Sequence, residues 1–285
     1  MGFGNDEDRE IALLQAKQFV ALGHVDREQS LYAEAIKHYT AAQDIYIRFD
    51  HSGGRIEALN GLGNAHVDQG QYEESLKYYR EGLELAESTG RQLDRAKLLG
   101  NMGGALLHQE KYDESMLHLE RALTIHNEFG NKYEITPILT NMGIIFIDQG
   151  RWDEAESHLN RARDLAEEVG AVQTYGSLLG ILGDLYSRTA RHDAAMELYE
   201  LSLSHHRKTG ARRAEGIVLY NIAEILTSRK NYEQALEQYS ESLLIQQEIG
   251  HSHYEELVGK RLEEVRRMMA SSDGDTPGKS PTSTD

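Results

Sequence analysis

The sequence repeats itself every forty residues, and this period limits the possible folds more than any other feature. A large apolar residue followed by a small one marks each of six repeats, with no insertion or deletion between them: Leu22-Gly23, Leu62-Gly63, Met102-Gly103, Met142-Gly143, Leu182-Gly183 and Ile222-Ala223. Periods of this length are typical of solenoid arrays, in which each repeat buries its apolar face against its neighbours. The six repeats fill residues 11–250.

Other recurrent positions predict the secondary structure of each repeat. An aromatic residue or His is followed three residues later by a small residue, as in Tyr72 and Ser75. Spacings of three, four and seven lie on one stripe of an α-helix, so each repeat is predicted to form two amphipathic helices joined by a short turn. In the second repeat these helices are expected near 56–68 and 72–88.

Glycines are predicted to have two different roles in the repeats. Those that close the last five repeats are expected to end a helix in the left-handed conformation, which glycine adopts without a Cβ clash: Gly90, Gly130, Gly170, Gly210 and Gly250. The glycine of the recurrent pair lies inside a helix, where it costs about 1 kcal/mol relative to alanine. Its recurrence predicts a close contact between two helices, which a larger residue at Gly103 would overpack.

The segments Leu62-Gly63-Asn64-Ala65 and Gly70-Gln71-Tyr72, followed by Tyr79, resemble the tetratricopeptide repeat. The forty-residue form is similar to that of the Pins/LGN polarity adaptors and the kinesin light chains. The resemblance implies an all-α fold, a right-handed α-solenoid of six helix-turn-helix repeats with a C-terminal capping helix. We expect an acidic lead over 1–10, the array over 11–250, the capping helix over 251–270 and a disordered tail over 271–285, where apolar residues are too few to offset the entropy of ordering.

In the resembled family, the first helix of each repeat lines a concave groove that holds a partner peptide. By this register the predicted partner-binding residues are Asn60, Asn64, Asn101, Asn141, Asn221, Lys97, His108, Asp148, Asp184, Tyr220 and Glu224. An amide both donates and accepts, so a row of asparagines suits the backbone of an extended peptide. The same amides equally suit hydrogen bonds that tie adjacent helices together, and the sequence leaves both interpretations open.

Charge narrows the class of partner. The formal net charge of −17 disfavours nucleic acid and anionic membrane surfaces. The predicted groove positions lean acidic, which favours a partner segment that carries Lys or Arg. A chaperone-type carboxylate clamp is not expected, because Asn60, Pro137 and Asn141 occupy the places where the resembled clamp has its cationic residues.

Motifs for catalysis, for a cofactor and for metal binding were not found, so we expect no catalytic residue, no cofactor and no metal site. The chain has no cysteine and no apolar signal segment near residue 1, which favours a cytoplasmic location. The predicted function is therefore a protein–protein interaction scaffold or adaptor, and not an enzyme. The alternative is a peptide-responsive regulatory sensor that changes its superhelical shape, and the oligomeric state is left open.

Overall fold

Helices account for all the regular structure of the described residues, as the sequence predicted. The computed structural model describes residues 6–250 and 252–274, which form thirteen α-helices and no strand. They are α1 (Asp6–Glu28), α2 (Tyr32–Arg48), α3 (Ser52–Asp68), α4 (Tyr72–Ser88), α5 (Gln92–Leu107), α6 (Tyr112–Glu128), α7 (Lys132–Asp148), α8 (Trp152–Glu168), α9 (Val172–Arg188), α10 (His192–Thr209), α11 (Arg212–Ser228), α12 (Tyr232–Glu248) and α13 (Ser252–Gly274). The odd-numbered helices α1 to α11 begin the six repeats, and the even-numbered helices complete them.

Three boundaries differ from the prediction. Helix α1 begins at Asp6, so residues 6–10 form its first turns instead of an acidic lead, and their carboxylates favour the positive end of the helix. Helix α3 begins at Ser52, and the His51 side chain accepts a hydrogen bond from the Gly54 backbone N–H at this end. Helix α13 runs to Gly274, past the predicted end of the capping helix. The predicted tail from residue 275 onward lies outside the described residues.

The chain divides into two compact units, Met1–Gly150 (unit 1) and Arg151–Asp285 (unit 2). In unit 1, α1 to α6 pack in chain order, α6 packs on α7, and the first helices of successive repeats also contact one another. In unit 2, α8 to α13 pack in chain order, and α9 contacts α11. Each unit is therefore a short α-solenoid with one layer of first helices and one of second helices.

The turns between helices use the left-handed region in all the repeats. The five predicted helix-ending glycines have φ between 66° and 70°, which confirms their role. At other turns five residues with side chains adopt φ between 49° and 61°: Ser30, Asp50, Glu110, Ala190 and Lys230. The packing of the repeats therefore imposes the same turn geometry where the local sequence does not favour it.

The glycine of the recurrent pair lies beneath a large side chain of the second helix. A Cβ at Gly63 would lie 2.2 Å from Tyr79 Cε1, and a Cβ at Gly103 would lie 2.6 Å from Leu119 Cδ2. Both large side chains are almost completely buried. The predicted close contact is therefore present, and it sets the distance between the two helices of a repeat.

Helix α13 covers the end of unit 2. Its residues Val258, Leu262 and Val265 are buried and pack against Ala223, Ala235 and Tyr239 of α11 and α12. The side chains of Lys260, Glu263 and Arg267 are exposed. The outer side of α13 thus presents charged side chains to solvent.

Candidate functional site

The predicted partner-binding residues all lie on first helices or directly after one, but the two compact units divide them. Unit 1 holds Asn60, Asn64, Lys97, Asn101, His108, Asn141 and Asp148, and unit 2 holds Asp184, Tyr220, Asn221 and Glu224. Each unit therefore carries its own group of predicted residues on its first helices.

Three of the predicted asparagines tie first helices together. The Asn101 side-chain amide donates a hydrogen bond of 2.7 Å to the Asn60 carbonyl oxygen and so joins α5 to α3. In unit 2 the Asn221 amide donates a bond of 2.8 Å to Asp184 Oδ1 and joins α11 to α9. Asn60 is only 8% exposed. Asn60, Asn101 and Asn221 therefore form the kind of interhelical hydrogen bond that one of the two interpretations predicted.

A second set of bonds connects the two helices of one repeat. The Tyr79 hydroxyl donates to Asn64 Oδ1 at 2.6 Å, and the Tyr199 hydroxyl donates to Asp184 Oδ1 at 2.6 Å. A third bond in the same register joins the Tyr239 hydroxyl to Glu224. These bonds satisfy the hydroxyl groups of the tyrosines and involve one oxygen atom of each acceptor side chain.

The sequence carries a signal for these bonds that the repeat analysis missed. A polar residue stands fifteen positions before each tyrosine of this register, namely His24, Asn64, Asp184 and Glu224 before Tyr39, Tyr79, Tyr199 and Tyr239. The two repeats with leucine instead, Leu119 and Leu159, have Gly104 and Ile144 at the paired position. Repeats with a tyrosine in this register therefore also have a polar residue that can bond to its hydroxyl. Repeats with a leucine lack both.

The acidic side chains of the unit 2 face, Asp184 and Glu224, form hydrogen bonds with neighbouring side chains. Burial raises the pKa of Asp184 above its usual value, against the opposing effect of the Tyr199 hydrogen bond. Burial would also raise the pKa of Glu224, but hydrogen bonds from Arg261, Tyr239 and Tyr220 outweigh it, and the pKa is lowered. Burial and the Glu224 carboxylate raise the pKa of Tyr220 to about 12. Both carboxylates are therefore hydrogen bonded, and that of Glu224 also forms an ion pair with Arg261.

The first-helix face of unit 1 contains a cavity of about 460 Å³ between α1, α3 and α5. Its lining includes three cations, Lys17, Arg91 and Lys97, and two carboxylates, Glu57 and Asp94. Arg91 forms an ion pair with Asp94. Lys17 and Glu57 are both exposed, and neither forms an ion pair within the described residues. The cavity lining therefore has one positive charge, on Lys17, and one negative charge, on Glu57, that are not paired within the described residues.

A smaller cavity of about 40 Å³ lies between α5 and α7 and extends the same face. Lys97 lines both cavities, and its Nζ lies 3.7 Å from Glu134 Oε1. Asn141 lines the smaller cavity, and no hydrogen bond occupies its amide within the described residues. His126, also in the lining, is 1% exposed, and burial lowers its pKa. Asn141 is thus a predicted asparagine that lines this surface and whose amide forms no hydrogen bond with another described residue.

The last two predicted positions have contacts of their own. The ring of His108 stacks on Tyr72 with centroids 5.2 Å apart, and Asp148 accepts a hydrogen bond of 3.3 Å from the Tyr112 hydroxyl. Both contacts lie at the C-terminal ends of first helices, and both residues are exposed. His108 and Asp148 therefore lie at the edge of the first-helix face, where these helices end.

Two glycines at the start of α3 shape the larger cavity and are a signal that the prediction did not use. A Cβ at Gly54 would lie 2.3 Å from Tyr46 Cε1, and a Cβ at Gly53 would lie 2.9 Å from the Arg91 guanidinium. The pair occurs in no other repeat at this position. It allows Tyr46 and Arg91 to approach α3, and so it marks Arg91 as a lining residue.

In the described residues, no group of three His, Asp or Glu side chains is arranged to hold a metal ion. No helix in that part of the chain combines the length and apolar composition that a membrane span requires.

Comparisons with known proteins agree with this architecture. One family model, described as tetratricopeptide repeat, matches residues 19–88, 94–168 and 134–208, and a second with the same description matches residues 57–128. The sequence has no match among curated proteins.

Solved structures show the same fold at low sequence identity. The apo form of RapI has a TM-score of 0.68 at 15% identity, covering 84% of this chain and 85% of that one. A Rap protein complexed with competence and sporulation factor has a TM-score of 0.68 at 18% identity, covering 91% and 77%. BtubC (BKLC) from P. vanneervenii has a TM-score of 0.58 at 15% identity, covering 99% and 98%.

Proposed function

We propose that this chain, which belongs to the tetratricopeptide repeat family, is an interaction scaffold or adaptor that holds an extended segment of a partner protein on the first-helix face of unit 1. Repeats of this family are generally interaction modules without catalytic activity. The observation that carries the proposal is the cavity of about 460 Å³ in which Lys17 and Glu57 are free to pair with a ligand.

The chemistry of this face suits a peptide better than an apolar small molecule. Apolar ligand pockets are enclosed and have few polar groups, whereas this cavity is lined by several charged side chains. An extended peptide offers backbone donors and acceptors to the Asn141 amide and charged side chains to Lys17 and Glu57. Such charge pairs at the rim of an interface guide the encounter and fix its register.

The partner segment is expected to carry both signs of charge. Glu57 favours the Lys or Arg that the acidic composition led us to expect, and Lys17 favours an Asp or Glu beside it. The acidic positions of unit 2 add less support for a basic segment, since Asp184 and Glu224 are already hydrogen bonded. We therefore propose a segment with one acidic and one basic side chain, spaced to reach α1 and α3.

A peptide-responsive regulatory sensor is the alternative function that we propose. A Rap protein was solved with competence and sporulation factor, which is the context for a peptide-responsive sensor. At 18% identity that likeness shows the fold alone, so the sensor is retained as the alternative function. The likeness to Pins/LGN adaptors and kinesin light chains and the cytoplasmic location are hypotheses of the same kind.

Selection of short random peptides against the full chain, followed by fluorescence anisotropy, tests the proposal. The charge reversal Lys17→Glu with Glu57→Lys should weaken a selected peptide by about tenfold or more, and Asn141→Ala should weaken it less. The matched control is Glu34→Lys with Lys37→Glu, which reverses an exposed ion pair of 2.6 Å on α2 and leaves the net charge unchanged.

The control variant is expected to bind like the wild type, because its pair lies on a second helix. Selected peptides that bind the charge-reversed face as tightly as the wild type would place recognition elsewhere. Lys17 and Glu57 are exposed, so the reversal should not disturb folding, and circular dichroism checks this.

A further inference from the structure

Helix α1 has two apolar faces, and only one of them is covered. Its inner face buries Ala16 and Val20 in the core of unit 1. Its outer face exposes four aliphatic side chains: Ile11 by 59%, Leu14 by 59%, Leu22 by 45% and Val25 by 47%. These four lie on one stripe of the helix, because their spacings of three, eight and three keep them within a narrow arc, in which Gln18 lies between Leu14 and Leu22.

In the next repeat of unit 1, helix α2 covers the equivalent stripe of α3. Leu62 and Ala65 of α3 stand forty residues after Leu22 and Val25, and they are 1% and 0% exposed. The covering helix is α2, since a Cβ at Gly61 would lie 2.4 Å from Tyr39 Cε1. No such helix precedes α1 among the described residues. The outer stripe of α1 thus corresponds to a face on which a helix packs in the next repeat. No helix of the described residues packs on it in α1.

The size of the side chains on this stripe restricts what fits it. Leu14 stands where α3 has Gly54, and the absence of a side chain at Gly54 makes room for the Tyr46 ring. Val25 stands where α3 has Ala65. A helix that packs on α1 therefore needs small side chains where α2 presents its tyrosines, because larger ones would overpack the contact.

The charges beside the stripe restrict the occupant further. Glu7, Glu10 and Glu28 border it, and all three are exposed and form no ion pair within the described residues. The one basic residue on that side, Lys17, lines the groove cavity. A second copy of the stripe would bring these carboxylates together, whereas a helix with basic flanks would pair with them.

We propose that this outer stripe, formed by Ile11, Leu14, Leu22 and Val25, binds one amphipathic helix of a partner protein, with small residues on its apolar face and Lys or Arg on its flanks. Exposed apolar side chains clustered on one stripe mark interaction sites, whereas the outer helices of solenoids normally present a polar face. The outer side of α13, with its charged side chains, shows that contrast within this chain.

Two helical peptides built on the α2 sequence, residues 32–48, provide the probe. In both, Tyr39 and Tyr46 are replaced by alanine, and a side-chain cross-link on the outward side holds the helix. One peptide carries Lys at its flanking positions and the other carries Glu. Fluorescence anisotropy with the full chain should show the Lys-flanked peptide binding about tenfold more tightly than the Glu-flanked one, with an affinity that falls as salt rises.

Variants of the chain then locate the contact. The double variant Leu14→Glu, Leu22→Glu should lose binding by about tenfold or more. The control variant Leu201→Glu, Leu244→Glu changes two leucines that are 52% and 60% exposed on second helices of unit 2, and it should bind like the wild type. All four leucines are at least partly exposed, so thermal melts should show that both variants fold.

Three results would overturn the proposal. The first is the absence of binding by either peptide, and the second is equal binding by the Leu14→Glu, Leu22→Glu variant and the wild type. The third is a dimer, found by sedimentation velocity, that the same variant abolishes, because a second copy of the chain would then be the occupant of the stripe.

Discussion

Replacement of Gly100 by alanine should stabilise the chain, whereas replacement of Gly103 by alanine should not. Both glycines lie inside α5, so both substitutions gain the same helix propensity and restrict the unfolded chain alike. They differ in the space that a Cβ meets. At Gly103 it would lie 2.6 Å from both Cγ and Cδ2 of Leu119 and 3.3 Å from the Ser115 backbone oxygen. At Gly100 the nearest atom, Ile138 Cγ1, is 3.5 Å away.

The relative size of the helix-propensity gain and the overpacking cost decides whether each substitution stabilises or destabilises the chain. Alanine in place of glycine inside a helix stabilises by about 1 kcal/mol, and Gly100→Ala should keep most of that gain because its new contacts are ordinary ones. Overpacking a full core costs about 1 to 3 kcal/mol, and Leu119 is 0% exposed and so has little room to move. Gly103→Ala should therefore be neutral to destabilising by about 2 kcal/mol, and Gly103→Leu should be worse.

Urea unfolding followed by far-UV circular dichroism measures the difference. The two variants are compared by the midpoint and slope of the unfolding curve, since repeat arrays can depart from two-state behaviour. We expect Gly103→Ala to be less stable than Gly100→Ala by about 1 to 3 kcal/mol. Equal stability of the two variants would refute the explanation that Gly103 is small because Leu119 lies over it.

Three further predictions follow from particular contacts. Tyr79→Phe removes the donor to Asn64 and should destabilise by about 1 kcal/mol in urea unfolding, with the fold retained. Asn101→Ala leaves the buried Asn60 carbonyl without its donor and should cost about 1 kcal/mol, whereas Asn141→Ala should leave the urea midpoint unchanged. Burial lowers the pKa of His126, with Glu134 and Lys97 acting in opposite directions, so the unfolded chain takes up the proton first and stability should fall as pH drops below the usual 6.5. Melting temperatures between neutral and mildly acidic pH, compared with His126→Gln, check this, and parallel pH profiles for the two proteins would contradict it.

The groove residues show how far repeat register predicts a binding face. Register placed the predicted residues on first helices, because a forty-residue period repeats each position in the same orientation. It did not separate Asn141 from Asn101, which occupy the same position in neighbouring repeats. The difference arises because Asn60 stands opposite Asn101 and accepts its hydrogen bond, while Asn141 forms no such bond within the described residues. Lys17 and Arg91 were missed because the cavity that they line depends on Gly53 and Gly54, which occur in one repeat only.

The all-α fold, the helix pairs and the left-handed glycine turns were determined by the sequence alone, since they follow from local spacing and from the steric freedom of glycine. Tertiary structure decided which polar side chains are engaged and which are free. A hydrogen bond such as that between Tyr199 and Asp184 depends on how two helices meet, and so does the exposure of Leu22, whose counterpart Leu62 is buried. Residues with the same place in the repeat therefore acquire different roles from the neighbours that cover them.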